Sequence, residues 1–227
     1  MPWQWDAKLG RYRDSKGLFL SNKKVLSMSR KSITTGSGAT DVLAQLWGSG
    51  ALNADDWYSL MREEIKGEYI RQYLLGIGGV SQMNAQRWGQ VGGMIADQYR
   101  YLENFRDEIA AGNLTEAQIA ARSQMYMRSA SEGFERARAR VADDHGYDQE
   151  RWVLDGGEHC EDCVDFAGEG WKPFGYFPFP GAGKTKCLTN CLCAKQYRKA
   201  RTIVLPILQV RDGRLVRSNL AMGALND

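Results

Sequence analysis

Residues 53–79 read NADDWYSLMREEIKGEYIRQYLLGIGG, and this stretch carries a clear helical pattern. Its apolar residues recur at steps of four, which places them on one face of a helix: Trp57, Met61, Ile65, Tyr69 and Tyr73. Asn53 can cap the first turn, and Asp55 and Asp56 suit the positive end of the helix dipole. The glycine-rich stretch 76–79 ends the pattern. The segment therefore predicts an amphipathic helix.

Two further helices are predicted downstream. The next apolar stripe runs at steps of three and four, and Gly112-Asn113 ends it: Trp88, Val91, Ile95, Tyr99, Leu102, Phe105 and Ile109. Thr115 and Gln118 form a capping box for a third helix, which extends to about residue 143. That helix has one apolar face, with Ile119, Tyr126, Ala130, Phe134, Ala137 and Val141, and an arginine-rich outer face, with Arg122, Arg128, Arg136, Arg138 and Arg140. We predict a helical domain over residues 41–145.

The first 40 residues differ from this body in composition. The runs 9–13 and 18–20 flank Asp14-Ser15-Lys16-Gly17, a turn-like cluster that predicts a small hairpin. Residues 21–40 are basic and rich in Ser, Thr and Gly, with little periodicity. We interpret them as a linker or docking arm, so that residues 1–40 form a basic N-terminal arm.

Short strands are predicted after residue 145. Two lie over residues 151–155 and 193–198, and Asp212-Gly213 predicts a tight hairpin between residues 202–210 and 214–216. We expect a cysteine-rich module with a β-hairpin over residues 146–217 and a flexible tail over 218–227. The predicted fold class is α+β, a mainly helical body with a small cysteine-stapled β-rich C-terminal module.

All five cysteines fall within that module, as Cys160, Cys163, Cys187, Cys191 and Cys193. Their pattern is C-x2-C, a gap of 23 residues, then C-x3-C-x-C. Two pairs of thiolates joined by a loop suit a tetrahedral Zn²⁺, and His159 offers a further nitrogen. The zinc hypothesis assigns Cys160, Cys163 and Cys187 as ligands, together with either Cys191 or Cys193.

Two other interpretations of these cysteines stay open. Two disulfides could form after lysis or purification and leave one free thiol, or five reduced thiols could pack a small core. Zinc or disulfides would have the same role, a staple for a segment with few apolar residues. A catalytic zinc needs an open position and a nearby acid or base. Glu158, Glu161 and Asp162 lie close to the cysteines in sequence, but we still expect no catalytic role for the metal.

The sequence contains partial matches to two catalytic motifs, and neither match is complete. Gly183-Lys184-Thr185 resembles the end of a phosphate-binding loop, but Pro178 stands where that loop needs glycine. A cysteine protease would need His145 or His159 as its base, and His159 adjoins the candidate ligand Cys160. We therefore expect no enzymatic activity and no small-molecule substrate.

The net charge of +3 is unevenly distributed, because both ends of the chain are basic. Such runs are often only solvated faces. They can also contact nucleic acid or an acidic partner surface. The candidate contact residues are Arg11, Arg13, Lys23, Lys24, Lys195, Arg198, Lys199, Arg201, Arg211, Arg214 and Arg217. A sequence-independent contact with the DNA backbone is the DNA version of this hypothesis.

The cysteine module resembles a known family. The motifs that carry the likeness are Trp152-Val153-Leu154-Asp155, Glu158-His159-Cys160-Glu161-Asp162-Cys163, Pro178-Phe179-Pro180-Gly181 and Thr185-Lys186-Cys187-Leu188-Thr189-Asn190-Cys191-Leu192-Cys193. Their order, H-C-x2-C and then T-x-C-x2-N-C-x-C, is similar to the C-terminal module of phage head morphogenesis proteins. These are the minor head proteins typified by the F protein of phage Mu.

The resemblance implies a low-copy virion protein of the phage head, associated with the portal or inner capsid and acting in head assembly and DNA packaging or delivery. The implied partners are the portal protein, the major capsid protein and packaged DNA. No run reaches the roughly 18 apolar residues of a membrane span, and the N-terminus lacks a secretory layout, so we expect synthesis in the host cytoplasm. The alternative function is a zinc-stabilised nucleic-acid-binding module.

Overall fold

The helical body is built from five helices among the described residues. The computed structural model describes the backbone of residues 3–6, 11–14, 19–20, 22–155, 157–200, 206–211 and 214–219, and the side chains of 27–155 and 157–200. The helices of the body are α1 Asn22–Gly48, α2 Ala54–Ile77, α3 Ala85–Ala110, α4 Glu116–Ser129 and α5 Ser131–Asp144. None of the described helices is long and apolar enough to cross a membrane.

The remaining elements are short. They are β1 Trp3–Asp6, β2 Arg11–Asp14, β3 Phe19–Leu20, β4 Gln149–Val153, α6 Glu161–Gly168, β5 Lys172–Pro173, β6 Ala194–Arg198, β7 Pro206–Arg211 and β8 Arg214–Asn219. The predicted α+β class is confirmed: a mainly helical chain carries a small antiparallel sheet and a cysteine cluster near its C-terminus.

Helix α2 supplies the centre of the helical core. Its predicted stripe, from Trp57 to Tyr73, is buried at every position. Asn53 Oδ1 accepts the Asp56 N–H at 2.8 Å, which confirms the predicted cap. At the other end Gly78 takes a left-handed conformation with φ 98°, and its N–H donates to the Leu74 carbonyl. Burial of these large side chains against α1, α3 and α5 holds the body together.

Helix α3 follows its predicted stripe except at its start. Val91, Leu102 and Phe105 are buried in the core shared with α2. Trp88, placed on the same stripe from the sequence, is 43% exposed. Trp88 therefore does not belong to the buried face of α3. The buried stripe begins one turn later than predicted, at Val91.

The predicted linker over residues 21–40 is wrong, because α1 begins at Asn22 and belongs to the helical body. The C-terminal half of α1 buries Leu43 and Ala44 in the helical core, whereas its N-terminal half faces polar groups of α2. Ser29 Oγ donates to Gln72 Oε1 at 2.6 Å, and Ser32 Oγ donates to Glu68 Oε1 at 3.0 Å. A Cβ at Gly36 would lie 3.2 Å from Met127 Sδ, so α4 also packs closely on this helix. The body thus starts near residue 22 rather than 41.

The single third helix is also wrong, because it divides at Ala130 into α4 and α5. The hydroxyls of Ser129 and Ser131 donate to the Tyr126 and Arg128 carbonyls, both at 2.8 Å. Such back-bonding by serine bends helices. The capping box at its start is confirmed by the reciprocal Thr115 and Gln118 bonds.

Three small antiparallel sheets complete the described structure. The central one has the order β5-β4-β6, and the other two are β1-β2-β3 and β7-β8. Pairing of β2 with β3, and of Arg211 with Arg214 between β7 and β8, confirms both predicted hairpins. Strand β1 was not predicted, and β4 begins two residues earlier than expected. Ser218 and Asn219 were predicted as the start of a flexible tail, but they belong to β8 and pair with Ile207 and Pro206. Residues 202–205 of the predicted hairpin and 220–227 of the predicted tail lie outside the described residues.

Candidate metal centre

The cysteines come from two turns that the fold places side by side. Cys160 precedes α6 and Cys163 lies in its first turn, where the Cys163 N–H donates to the Cys160 carbonyl at 3.0 Å. Cys187 and Cys191 flank the 3₁₀ turn Leu188–Asn190. Cys193 immediately precedes β6. Pairing of β6 with β4 brings the second turn to the first, because β4 leads directly into the segment that carries Cys160.

The sulfur atoms lie close together around Cys163. Its Sγ is 3.5 Å from that of Cys160 and 3.7 Å from those of both Cys187 and Cys191. Two groups of three have all their ligand atoms within 4.8 Å, namely Cys160, Cys163 and Cys187, and Cys163, Cys191 and Cys193. Cys163 belongs to both groups.

This spacing suits metal coordination rather than disulfides. All five cysteines are free thiols, and their separations far exceed the roughly 2.0 Å of an S–S bond. Sulfurs bound tetrahedrally at about 2.3 Å from one zinc ion would lie about 3.8 Å apart. The sulfur distances around Cys163 are close to that value. The cluster could therefore hold a metal ion.

His159 lies at the edge of the cluster. Its Nδ1 is 3.7 Å from Cys193 Sγ, and the side chain is partly exposed. All six ligands predicted from the sequence, His159 and the five cysteines, thus meet in one place.

Burial opposes ionisation of four of the metal-free thiols, those of Cys160, Cys163, Cys187 and Cys191. It raises the pKa of Cys163 and of Cys187, while a hydrogen bond with Cys193, together with burial, raises the pKa of Cys191. Burial opposes ionisation of Cys160 too, but hydrogen bonds with Cys163 and Cys187 outweigh it and lower the Cys160 pKa. A metal ion binding here has to displace protons from the buried sulfurs.

The apolar core around the sulfurs is small. Trp152 and Phe177 are buried beside the cysteines, and Phe166 packs against both aromatic rings at centroid distances of 5.3 and 5.6 Å. The helical body has its own, much larger cluster of buried residues. Few apolar side chains are therefore available to hold the module without the cysteines.

Polar contacts join the two cysteine turns, and these were not predicted. Asp162 Oδ2 accepts the Lys186 N–H at 2.7 Å, and the Lys186 ammonium also pairs with Glu161. Thr185 Oγ1 lies 3.1 Å from Cys187 Sγ. The sequence does contain a signal for them, since two acids follow Cys160 and a lysine precedes Cys187.

The segment 181–185, whose sequence resembles the end of a phosphate-binding loop, lies between α5 and the cysteine cluster. A Cβ at Gly181, which has φ 80°, would lie 2.1 Å from Ser131 Oγ, so glycine allows the loop to approach α5. Thr185 is buried beside the cysteines, and the chain continues into a short 3₁₀ turn rather than a long helix.

The module is anchored to the helical body at its cysteine turns. Arg30 of α1 donates to Asp155 Oδ2 at 3.0 Å and to the Leu192 carbonyl at 2.6 Å. Arg128 of α4 donates to Asn190 Oδ1 at 2.5 Å. Both arginines thus reach the turn that carries Cys191 and Cys193.

One predicted contact residue needs correction. Lys195 was assigned to a nucleic-acid or partner surface, but it is 1% exposed and its Nζ lies 2.7 Å from Glu150 Oε2. Alternation along β6 turns Lys195 toward the helical body, where its backbone N–H donates to Glu135. It is not available to an external partner.

The other predicted contact residues divide into two sets. Lys199 is exposed, and Arg198 is partly exposed on the opposite face of β6 from Lys195. The side chains of the remaining set lie outside the described residues: Arg11, Arg13, Lys23, Lys24, Arg201, Arg211, Arg214 and Arg217.

Comparison of the chain with protein-family models, curated proteins and solved structures finds no match.

Proposed function

We propose that the chain is a structural minor head protein of a phage, a low-copy component of the virion head. In this role it associates with the portal or the inner capsid and assists head assembly and DNA packaging or delivery. The observation that carries the proposal is the motif order H-C-x2-C and T-x-C-x2-N-C-x-C, which resembles the head morphogenesis proteins. The fold brings the two motifs together, because both contribute sulfur atoms to one cluster.

The proposed role is mechanical rather than catalytic. The cysteine cluster fixes the loop that contains Asn190 and Leu192, and Arg128 and Arg30 bind that loop from the helical body. A closed cluster therefore fixes the position of the module on the body. A rigid chain of this kind presents a constant surface to the portal or capsid.

We further propose that the ion is a structural Zn²⁺ held by Cys160, Cys163, Cys187 and Cys191. Each of the other three sulfurs lies within 3.7 Å of Cys163 Sγ. The mutually close sulfurs form two sets of three that share Cys163, so binding would draw Cys191 toward Cys160 and Cys187. Cys193 and His159 then form the adjoining shell. Zinc would join the two turns through four thiolate bonds, which suits a closed site without a position for substrate.

Metal content tests the zinc proposal directly. Protein purified under reducing conditions should contain about one zinc per chain. Cys163→Ser should lose the metal, because both sulfur groups include Cys163. His159→Ala is the matched control and should retain it, since among the residues with described side chains His159 contacts the sulfur of Cys193, which lies outside the proposed ligand set. Metal-free protein with Cys160 and Cys163 in disulfides would refute the proposal.

Purified particles test the functional proposal. Mass spectrometry of salt-washed phage particles should detect the chain at a small fraction of the major capsid protein. Symmetry-relaxed imaging should then place it at the portal or the inner capsid surface. Particles produced without the chain should show defects in head assembly or DNA content. Absence of the chain from washed particles, combined with DNA binding in solution, would favour the alternative nucleic-acid-binding module.

A further inference from the structure

One face of the central sheet carries two arginines on a single tryptophan ring. The register pairs Gln149 with Arg198 and Arg151 with Gln196 across β4 and β6. Because side chains alternate along a strand, these four share one face of the sheet. Glu150, Trp152 and Lys195 occupy the opposite, buried face, whereas on this face Gln149 is buried and Arg151, Gln196 and Arg198 are partly exposed.

Trp171 supports both guanidinium groups. The Cζ atom of Arg198 lies 4.3 Å from the centroid of the indole, and that of Arg151 lies 4.9 Å from it. Both distances fall within the range of cation–π attraction. Trp171 precedes β5, the strand that pairs with the other edge of β4, so the sheet itself positions the ring.

Neutral side chains fix the orientation of the two arginines. Gln196 Oε1 accepts from Arg151 Nε and Nη2 at 2.9 and 2.7 Å. Gln149 Oε1 accepts from Arg198 Nε at 2.7 Å. Within the part of the chain whose side chains are described, Nη1 of Arg151 and both terminal nitrogens of Arg198 have no hydrogen-bond acceptor.

These two arginines differ from most others in the chain, which form salt bridges with carboxylates. Among the arginines with described side chains, only Arg62, Arg128, Arg151 and Arg198 lack a carboxylate at salt-bridge distance. The nearby acids have other partners: Asp148 accepts the Ala200 N–H, and Glu169 binds Lys172 and Tyr176. Exposed Lys199 adds a further positive charge next to Arg198. The sheet face is therefore cationic and unneutralised by the described residues.

We infer that Arg151 and Arg198, held on Trp171, bind phosphate groups of the DNA backbone. A planar guanidinium with free terminal donors matches phosphate oxygens, and the stacked ring limits the side-chain entropy lost on binding. Contacts of this type position a protein on DNA without reading its sequence. The choice of DNA as the polyanion rests on the proposed function in the phage head.

Salt dependence measures this site. Binding of the full chain to a fluorescein-labelled DNA duplex is followed by anisotropy between 50 and 200 mM salt. Loss of two phosphate contacts should lower the slope of log affinity against log salt by about 2 in Arg151→Gln/Arg198→Gln. Arg62→Gln is the matched control, because Arg62 also stacks on a ring, that of Tyr99 at 4.4 Å, and lacks a carboxylate partner. Its slope should equal that of the wild type.

A second measurement uses the wild-type chain and so avoids any folding defect of the variants. Phenylglyoxal modifies accessible arginines, and mass spectrometry locates the products. Bound duplex should protect Arg151 and Arg198 but leave Arg62 reactive. An unchanged salt slope in the double variant, equal modification with and without bound DNA, or no binding of wild type at 50 mM salt would overturn the inference. A virion protein that does not bind DNA would refute this site alone, whereas a DNA-binding chain absent from virions would refute the proposed function alone.

Discussion

At the residue scale, Gly76 is a point of very close approach between α2 and α5. A Cβ at this position would lie 2.4 Å from the Phe134 carbonyl oxygen and 2.6 Å from Ala137 Cβ. Neither neighbour is the flexible end of a long side chain, so relief requires the two helices to move apart. Glycine is therefore required here for packing rather than for a turn.

Gly76→Ala should destabilise the protein by about 1–3 kcal/mol, the usual range for overpacking in a core. Gly67→Ala is the control in the same helix, because a Cβ there meets no atom within 4 Å. That change should stabilise the protein by roughly 0.5–1 kcal/mol through helix propensity. Urea denaturation gives the free energy of unfolding of both variants. If Gly76→Ala stabilised the protein as Gly67→Ala is expected to do, α2 and α5 would not pack as described.

At the scale of elements, a buried ion pair joins the central sheet to the module core. Lys195 Nζ contacts Glu150 Oε2 at 2.7 Å and donates to the Phe177 carbonyl at 3.0 Å. Glu150 Oε1 accepts the Phe177 N–H at 2.7 Å. Burial lowers the Lys195 pKa, and Glu150 opposes that shift by favouring the charged lysine. The pair thus binds β4 and β6 to the loop that carries Phe177.

Lys195→Met should cost about 3–5 kcal/mol, because it leaves the Glu150 carboxylate buried without its partner. Adding Glu150→Gln should recover much of this loss, since glutamine carries no charge and can still accept the Phe177 N–H. Lys199→Met, on an exposed lysine nearby, should stay within about 0.5 kcal/mol of wild type. Thermal or urea unfolding of the four proteins gives the comparison, and a double variant no more stable than Lys195→Met would contradict the ion-pair explanation.

Elements with strong local signals could be predicted from the sequence, and those stabilised by tertiary contacts could not. Helix α2 combines a cap at Asn53 with an apolar stripe, so its bounds follow from local chemistry. Helix α1 lacks such a stripe because Ser29 and its neighbours are buried against polar groups of α2. Lys195 reads as a basic surface residue because its partner Glu150 lies on a different strand. In both α1 and Lys195, contacts with residues distant in sequence determine the structure, and local propensity does not reveal them.

The same division applies to the candidate site. The spacing of the cysteines predicted that Cys160, Cys163 and Cys187 would meet either Cys191 or Cys193, and in the structure both of these join the cluster. His159 was predicted as a further nitrogen beside Cys160, and it lies against Cys193. The anchors Arg30 and Arg128 could not be predicted, because they are distant in sequence from the turn they bind. Charge alone also failed to single out Arg151, whose role depends on the shared ring of Trp171.

At the scale of the whole molecule, two separate apolar clusters stabilise the described chain. One belongs to the helical body, and the other consists of the cysteines with a few aromatic side chains. The cluster of the body is much the larger, so we expect the body to fold by its own packing. The stability of the module should depend on the bonds that hold its cysteine sulfurs together. If that is zinc, the two parts should differ in their response to a chelator.

We therefore expect removal of the metal to unfold the module before the body. Structural zinc contributes on the order of 10 kcal/mol to a small domain, whereas the body keeps its full core. Hydrogen exchange measured with and without a zinc chelator should show much faster exchange in β4 and β6, with α2 and α3 unchanged. Cys163→Ser provides the control: its module should already exchange fast, and the chelator should have no further effect. Equal acceleration in α2 would mean that body and module unfold as one unit, and no change anywhere would mean that the cysteine cluster needs no metal to hold the module.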